Sequence, residues 1–230
     1  MDIKKGLEKI AKDFDLENHV KLKYVEFSPR QMIIRSMIGN DPTYENYKKK
    51  YHGDLTKAIL DYLNSENYKK DIMMPQACVI SKHELPRDLK LVSKIYDSKL
   101  KKELENIYSK IKNNMAGKKR LTLVWKNKPK ISPDYVRDEI ILHEFVHELL
   151  EENKIRPKSW KWNEGLVTYV THRQVGQLKR IVEDEESQDT LWYTYQTYAR
   201  KWMKILGGTK SPEERKKLIL RKLKVLNKNN

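Results

Sequence analysis

Between Val136 and Leu150 the chain has essentially one way to fold. Val136, Ile140, His143 and His147 recur at helical spacing, Leu142, Phe145 and Leu149 form a second stripe, and Ile141, Val146 and Leu150 widen the apolar surface. A helix that is apolar nearly all round belongs in a core. It takes His143, Glu144 and His147 in with it, and burying those polar side chains is costly unless each finds a partner. His143 and His147 are four residues apart, so both imidazoles leave one face about one turn apart. Two nitrogens so placed can bind one ion at about 2.0–2.1 Å. Glu144 stands about 100° round the helix, where it reaches a water beside that ion rather than the ion itself. That is the place of a general base.

Two ligands are too few for a catalytic zinc, which takes three protein groups and a water. Glu164, in Trp160-Lys-Trp-Asn-Glu-Gly-Leu-Val-Thr-Tyr169, lies 17 positions after His147 at the start of the next expected helix. A turn and an antiparallel return bring it back to the ion. Gly165 removes a side chain where two helices must approach closely. Glu164 also has a simpler reading, as a helix-start carboxylate favoured by the dipole. His172, eight residues further on, is the rival ligand; a solvated or supporting position is its other reading.

The 230 residues suffice for one large domain or two small lobes with a cleft. Apolar residues make up 38%, adequate for a core because 13 Tyr and 5 Trp each bury a large area. Mean hydropathy is −0.83, and no apolar run approaches the roughly 20 residues that span a bilayer. The first residues, MDIKKGLEKIAKDFD, lack the apolar run of a secretory signal, so a cytoplasmic location is expected. A single cysteine, Cys78, excludes an intramolecular disulfide and a thiolate cluster; its apolar neighbours suggest a packed, inert thiol in a strand.

Forty-eight Lys and Arg against 32 Asp and Glu give a net charge of +16, which attracts acidic proteins, nucleic acid or anionic surfaces. A Lys/Glu-rich surface also fits a hot environment. The basic residues are spread along the chain. No Gly-rich phosphate loop, finger spacing or clear aromatic-basic RNA motif accompanies them.

Ile3–Phe14 reads as a short amphipathic helix, Val20–Tyr24 as a half-buried strand and Gln31–Ile38 as a second strand. Asp41-Pro42 opens a helix through Tyr68, interrupted near His52-Gly53 and capped again by Asp54. Ala77–Ser81 is a short strand. Pro86 starts a long helix whose stripe is Val92, Tyr96, Leu100, Leu104, Ile107 and Ile111. Leu121–Trp125 is the strand densest in β-formers. Ser132-Pro133-Asp134 starts the histidine helix, which runs to about Glu152. Asn163 begins the glutamate helix. Beyond the acidic turn Asp184–Asp189, Leu191–Leu206 and Pro212–Val225 are two more helices. Mixed α and β first, then all α, fits an α+β protein with a sheet-bearing upper lobe and a helical lower lobe.

His143-Glu-Phe-Val-His147 followed by Trp162-Asn-Glu-Gly-x-x-x-Tyr169 resembles the gluzincin zinc metallopeptidases, over about Leu121–Arg173. In spacing it is most similar to the minimal archaeal gluzincins, compact soluble relatives of membrane metallopeptidase domains. The metzincin pattern would need glycine at position 150 and histidine at 153, where Leu150 and Asn153 stand. The resemblance implies a zincin-like fold: a small mixed sheet with the active-site helix in an upper lobe, and a helical lower lobe. Residues 1–120 would then be an N-terminal mixed α/β region with a regulatory role. Residues 121–230 would be the catalytic region, with edge strand, HExxH helix, glutamate helix and C-terminal helices. It implies zinc on His143, His147 and Glu164, and Glu144 as general base and acid in a hydrolase acting on peptide or protein substrates. It also implies that Leu121–Trp125 is an edge strand pairing with extended substrate. The spacing to Glu164 is shorter than in the large aminopeptidases that share N-E-G, so exopeptidase specificity is not implied.

Two other classes fit the same residues. One is a SprT-like, DNA-associated protease with His172 as third ligand. The other is a non-enzymatic basic nucleic-acid-binding protein with a structural or latent zinc site; in a latent enzyme, the Lys-rich tail from Lys210 would fold over the cleft. His172, Tyr169, Tyr193, Tyr195 and Tyr198 are all open candidates for stabilising an oxyanion.

Overall fold

The structure, a computed structural model, describes residues 2–39, 44–71, 77–117, 120–125, 134–176, 178 and 191–228. Contacts divide the chain into two compact units, Met1–Leu22 with Asp138–Asn230, and Lys23–Arg137. The grouping differs from a division at residue 120, because the first residues fold with the C-terminal helices.

The second unit, Lys23–Arg137, holds the sheet: β1 (Tyr24–Phe27), β2 (Ala77–Ser81) and β3 (Arg120–Trp125), in the order β1-β3-β2. β1 runs parallel to β3 and β2 antiparallel, so the sheet is small and mixed, and the fold is α+β. Leu121–Trp125 is therefore the central strand, not an edge. Tyr24–Phe27 occupies one side of it and Ala77–Ser81 the other, and a substrate strand has no free ladder there. Residues 121–125 are buried without alternation, as a central strand requires.

Around the sheet lie α2 (Pro29–Ile38), α3 (Glu45–Lys50), α4 (Leu55–Leu63), α5 (Glu66–Asp71), α6 (Leu85–Ser93) and α7 (Ser98–Met115). Residues 31–38, expected as a strand, are helical. Ser28 and Gln31 form a reciprocal capping box and Pro29 opens the first turn. The long helix expected from Pro86 is two helices. Asp97 caps the second by accepting from Leu100 N, and Tyr96 is exposed instead of lying on the stripe. Asp54 caps α4, as expected. The strand expected at Val20–Tyr24 begins only at Tyr24.

The core of this unit runs from Val25 to Leu123 and includes Phe27, Met32, Ile59, Tyr108 and Ile111. It encloses one polar knot. Asp88 accepts from the Tyr108 hydroxyl at 3.0 Å and pairs with Arg87 at 2.7 Å, and Arg35 lies 4.0 Å away. Arg35 also donates to the half-buried Cys78 Sγ at 3.4 Å.

The first unit is helical: α1 (Ile3–Asp13), α8 (Asp134–Glu152, within this unit from Asp138), α9 (Trp160–Gln174), α10 (Leu191–Leu206) and α11 (Pro212–Lys228). Leu7, Ile10, Ala11 and Phe14 form the buried face of α1. The α1 and α8 helices meet where Gly6 faces Leu142; a methyl on Gly6 would stand 3.3 Å from Leu142 Cδ1. The α10 helix lies along α9, closest at Gly165. A Cβ there would stand 2.4 Å from Tyr198 Cβ and 2.9 Å from Ala199 N. Gly165 thus serves a close approach, but the helix it admits is α10. On α11, Ile219 and Leu223 are buried and Arg215 donates to the Asp13 carbonyl at 2.6 Å. No helix among the described residues is long and apolar enough to cross a membrane.

Candidate metal centre

Both histidines stand on α8 and Glu164 on α9. Ile141, Leu142, Phe145, Val146, Leu149 and Leu150 are buried, which fixes the rotation of α8. His143, Glu144, His147 and Glu148 lie between those rows and remain partly accessible. The helix is therefore not buried all round; its histidine face keeps some opening. The helix start expected at Ser132-Pro133 lies outside the described residues, as does the acidic turn at 184–189.

The α9 helix starts at Trp160, a turn earlier than expected, so its first turn has no acidic residue and Glu164 falls in the second. The dipole effect fades beyond the first turn. A helix-start role accounts poorly for Glu164, whereas its neighbours account for it well. Glu164 Oε2 lies 3.3 Å from His143 Nε2 and 3.3 Å from His147 Nε2. The three ligand atoms lie within 4.8 Å of one another and form a group that could hold a metal ion. Corners of a tetrahedron with bonds of about 2.0–2.1 Å stand about 3.3 Å apart, which the two Glu164–histidine distances match, and two imidazoles with a carboxylate are a donor set of the kind zinc takes.

Asn163, one residue before, places its side-chain amide 3.2 Å from His147 Nδ1. As placed, the amide nitrogen Nδ2 faces Nδ1; with the amide turned over, its carbonyl oxygen would accept the Nδ1 proton and leave the Nε2 lone pair free to face an ion. This residue was legible only as part of the N-E-G run; its position beside Glu164 was the signal for its role.

Burial raises the Glu164 carboxyl, but the charges and hydrogen bonds of His147 and His143 outweigh that and hold it well below the usual carboxylate range. Burial pushes Glu144 up to about 7; His143 pulls it back, while Glu164 and Glu148 add to the rise. A carboxyl at this level can both take and return a proton near neutrality.

His172 is not part of this group. It is buried two turns further along α9, with Nε2 3.6 Å from Glu139 Oε1. Tyr169 is fully buried, while Tyr193, Tyr195 and Tyr198 lie partly buried on α10. The Lys-rich segment after Lys210 forms α11. No family model, curated protein or solved structure matches the chain.

Proposed function

We propose that the chain is a zinc-dependent metallopeptidase of gluzincin type, with a zincin-like catalytic region and a cytoplasmic location. The observation that carries this reading is the convergence of Glu164 on both histidines at 3.3 Å, beside a glutamate that is not part of the group. A purely structural site has no use for Glu144.

In this reading His143, His147 and Glu164 would hold the zinc ion, which would supply Lewis acidity toward a carbonyl and a water. Glu144 takes the proton of that water and returns it to the leaving amine, so one carboxyl serves as base and then acid. With its amide oxygen turned to Nδ1, Asn163 would keep the His147 ring in the tautomer that ligation needs. The substrate backbone binds elsewhere than on β3, whose ladders are filled. The pairing of His172 with Glu139 favours Glu164 over His172 as third ligand.

Metal analysis and casein cleavage with the full chain test the reading. Zinc should be present at one per chain, and Glu144→Ala should retain it while losing hydrolysis by ~10²–10⁴-fold. Cleavage by Glu144→Ala at the wild-type rate would remove the mechanism.

A further inference from the structure

The start of α9, α10 and α11 assemble a face that no linear motif announces. Trp160 is 47% exposed, its ring edge-on to Tyr195 at 6.3 Å, with Lys161 Nζ 5.9 Å from its centroid. Trp162 meets Tyr198 and Trp202 edge to face at 5.2 and 5.5 Å. Lys222 Nζ, from α11, stands 4.9 Å from the Trp162 centroid, and Lys201 Nζ, from α10, 4.0 Å from that of Tyr198. Lys158 ties α9 to the end of α11, its backbone N–H donating to Asn227 Oδ1 at 3.0 Å. Cation–ring contacts of weight occur roughly once per 70–80 residues. Here Lys161 and Lys222 each make one and Lys201 makes two, all on one face.

Charge on this face has one sign. The sequence from Leu191 to Pro212 contains no Asp or Glu, nor does that from Arg215 to Asn230. The α9 helix has one carboxylate, Glu164, and that is turned to the histidines. Ammonium groups held over rings are partly ordered before any partner arrives, and no carboxylate among the described residues is paired with Lys161, Lys201 or Lys222.

We propose that this face binds single-stranded nucleic acid. Phosphates meet Lys161, Lys201 and Lys222, and an unpaired base stacks on the exposed Trp160 ring. An acidic peptide would satisfy the lysines but leave the ring idle, and a duplex keeps its base faces within its own stack. One helical turn separates Trp160 from Glu164, so a bound strand lies beside the metal centre; binding itself does not depend on what that centre does.

Fluorescence anisotropy of a labelled oligothymidine with the full chain tests this without any peptidase readout. Binding should weaken with salt. Trp160→Ala should weaken it roughly tenfold with the salt slope unchanged, and Trp160→Phe should restore most of it. Lys201→Ala should lower the salt slope by about 0.7, whereas Lys102→Ala, an equal change of net charge on an exposed lysine of the other unit, should not. If Trp160→Ala melts early, Trp160→Phe and the two lysine variants carry the test. No binding at low salt overturns the proposal. So does Lys102→Ala acting like Lys201→Ala, displacement by poly-glutamate as readily as by unlabelled oligothymidine, or equal binding of a duplex of the same length.

Discussion

Asn163 reaches across from α9 to set its side-chain amide 3.2 Å from Nδ1 of His147 on α8. The contact joins the two helices that carry the donor set and fixes one imidazole about its ring axis. Such supports contribute about 10–100-fold in metal affinity. Asn163→Ala is expected to weaken zinc by that factor, as measured by competition with a chromophoric chelator. Asn163→Asp, whose side chain can only accept from Nδ1–H, should stay near wild type.

The ligand set is separable by three substitutions. His143→Ala and Glu164→Ala should each lose stoichiometric zinc, and His172→Ala should keep it. Zinc retained by Glu164→Ala and lost by His172→Ala would transfer the third ligand to His172. Thermal melts report the same thing independently. Wild type stripped by a chelator should regain about 2.7 kcal/mol when zinc is supplied at 100 times its Kd, and the ligand variants should regain little.

Gly165→Ala reverses an ordinary expectation. In a helix this change normally stabilises by about 1 kcal/mol. Here the new methyl carbon would sit 2.4 Å from Tyr198 Cβ and 2.7 Å from the Tyr198 carbonyl carbon, so α9 and α10 must part. Overpacking of this kind costs about 1–3 kcal/mol, a fall in Tm of about 2–12 °C at roughly 2–4 °C per kcal/mol. A melt at or above the wild-type temperature would show that the helices separate freely.

Glu84 gives the Lys23–Arg137 unit an acid-sensitive element. Burial raises its carboxyl, but the Ser81 hydroxyl and amide, at 2.6 and 2.8 Å, and the charges of Arg35 and Arg87 lower it further than burial raises it. A folded value below the unfolded one, about 4.3, stabilises the fold fully above the unfolded value. That stabilisation disappears as pH falls through the depressed folded value. Glu84→Gln should therefore melt lower than wild type at pH 7, with the gap closing on acidification. A constant gap at every pH would mean that the Ser81 contacts act without the charge.

What could be read ahead of the structure depended on how local each signal is. His143, His147 and Glu164 were legible because helical periodicity and one short connection suffice to bring them together. The rank of Leu121–Trp125 in the sheet was not, since strand propensity says that a segment pairs and not with how many neighbours. Gln31–Ile38 went astray because the β-branched and apolar run outweighed Ser28-Pro29 and Gln31, whose capping box decides the element. The stripe from Val92 to Ile111 hid a break, because Tyr96 continues its spacing although one helix ends at Ser93 and Asp97 caps the next. The role of Gly165 was seen but assigned to the wrong neighbour, since α10 is separated from α9 by residues whose path no periodicity reveals.

The first unit is made from both ends of the chain, which gives it a timetable. On the ribosome α1 emerges early, with Leu7, Ile10, Ala11 and Phe14 facing outward and no helix of its own unit yet made. The 115 residues from Lys23 to Arg137 must follow before α8 can cover that face, an interval of about 6–23 s at roughly 5–20 residues per second. Every residue of the other unit's core, from Val25 to Leu123, is synthesised within that interval. α1 is thus made well before the rest of its own unit can enclose it, and a chaperone that shields short amphipathic helices would find it waiting.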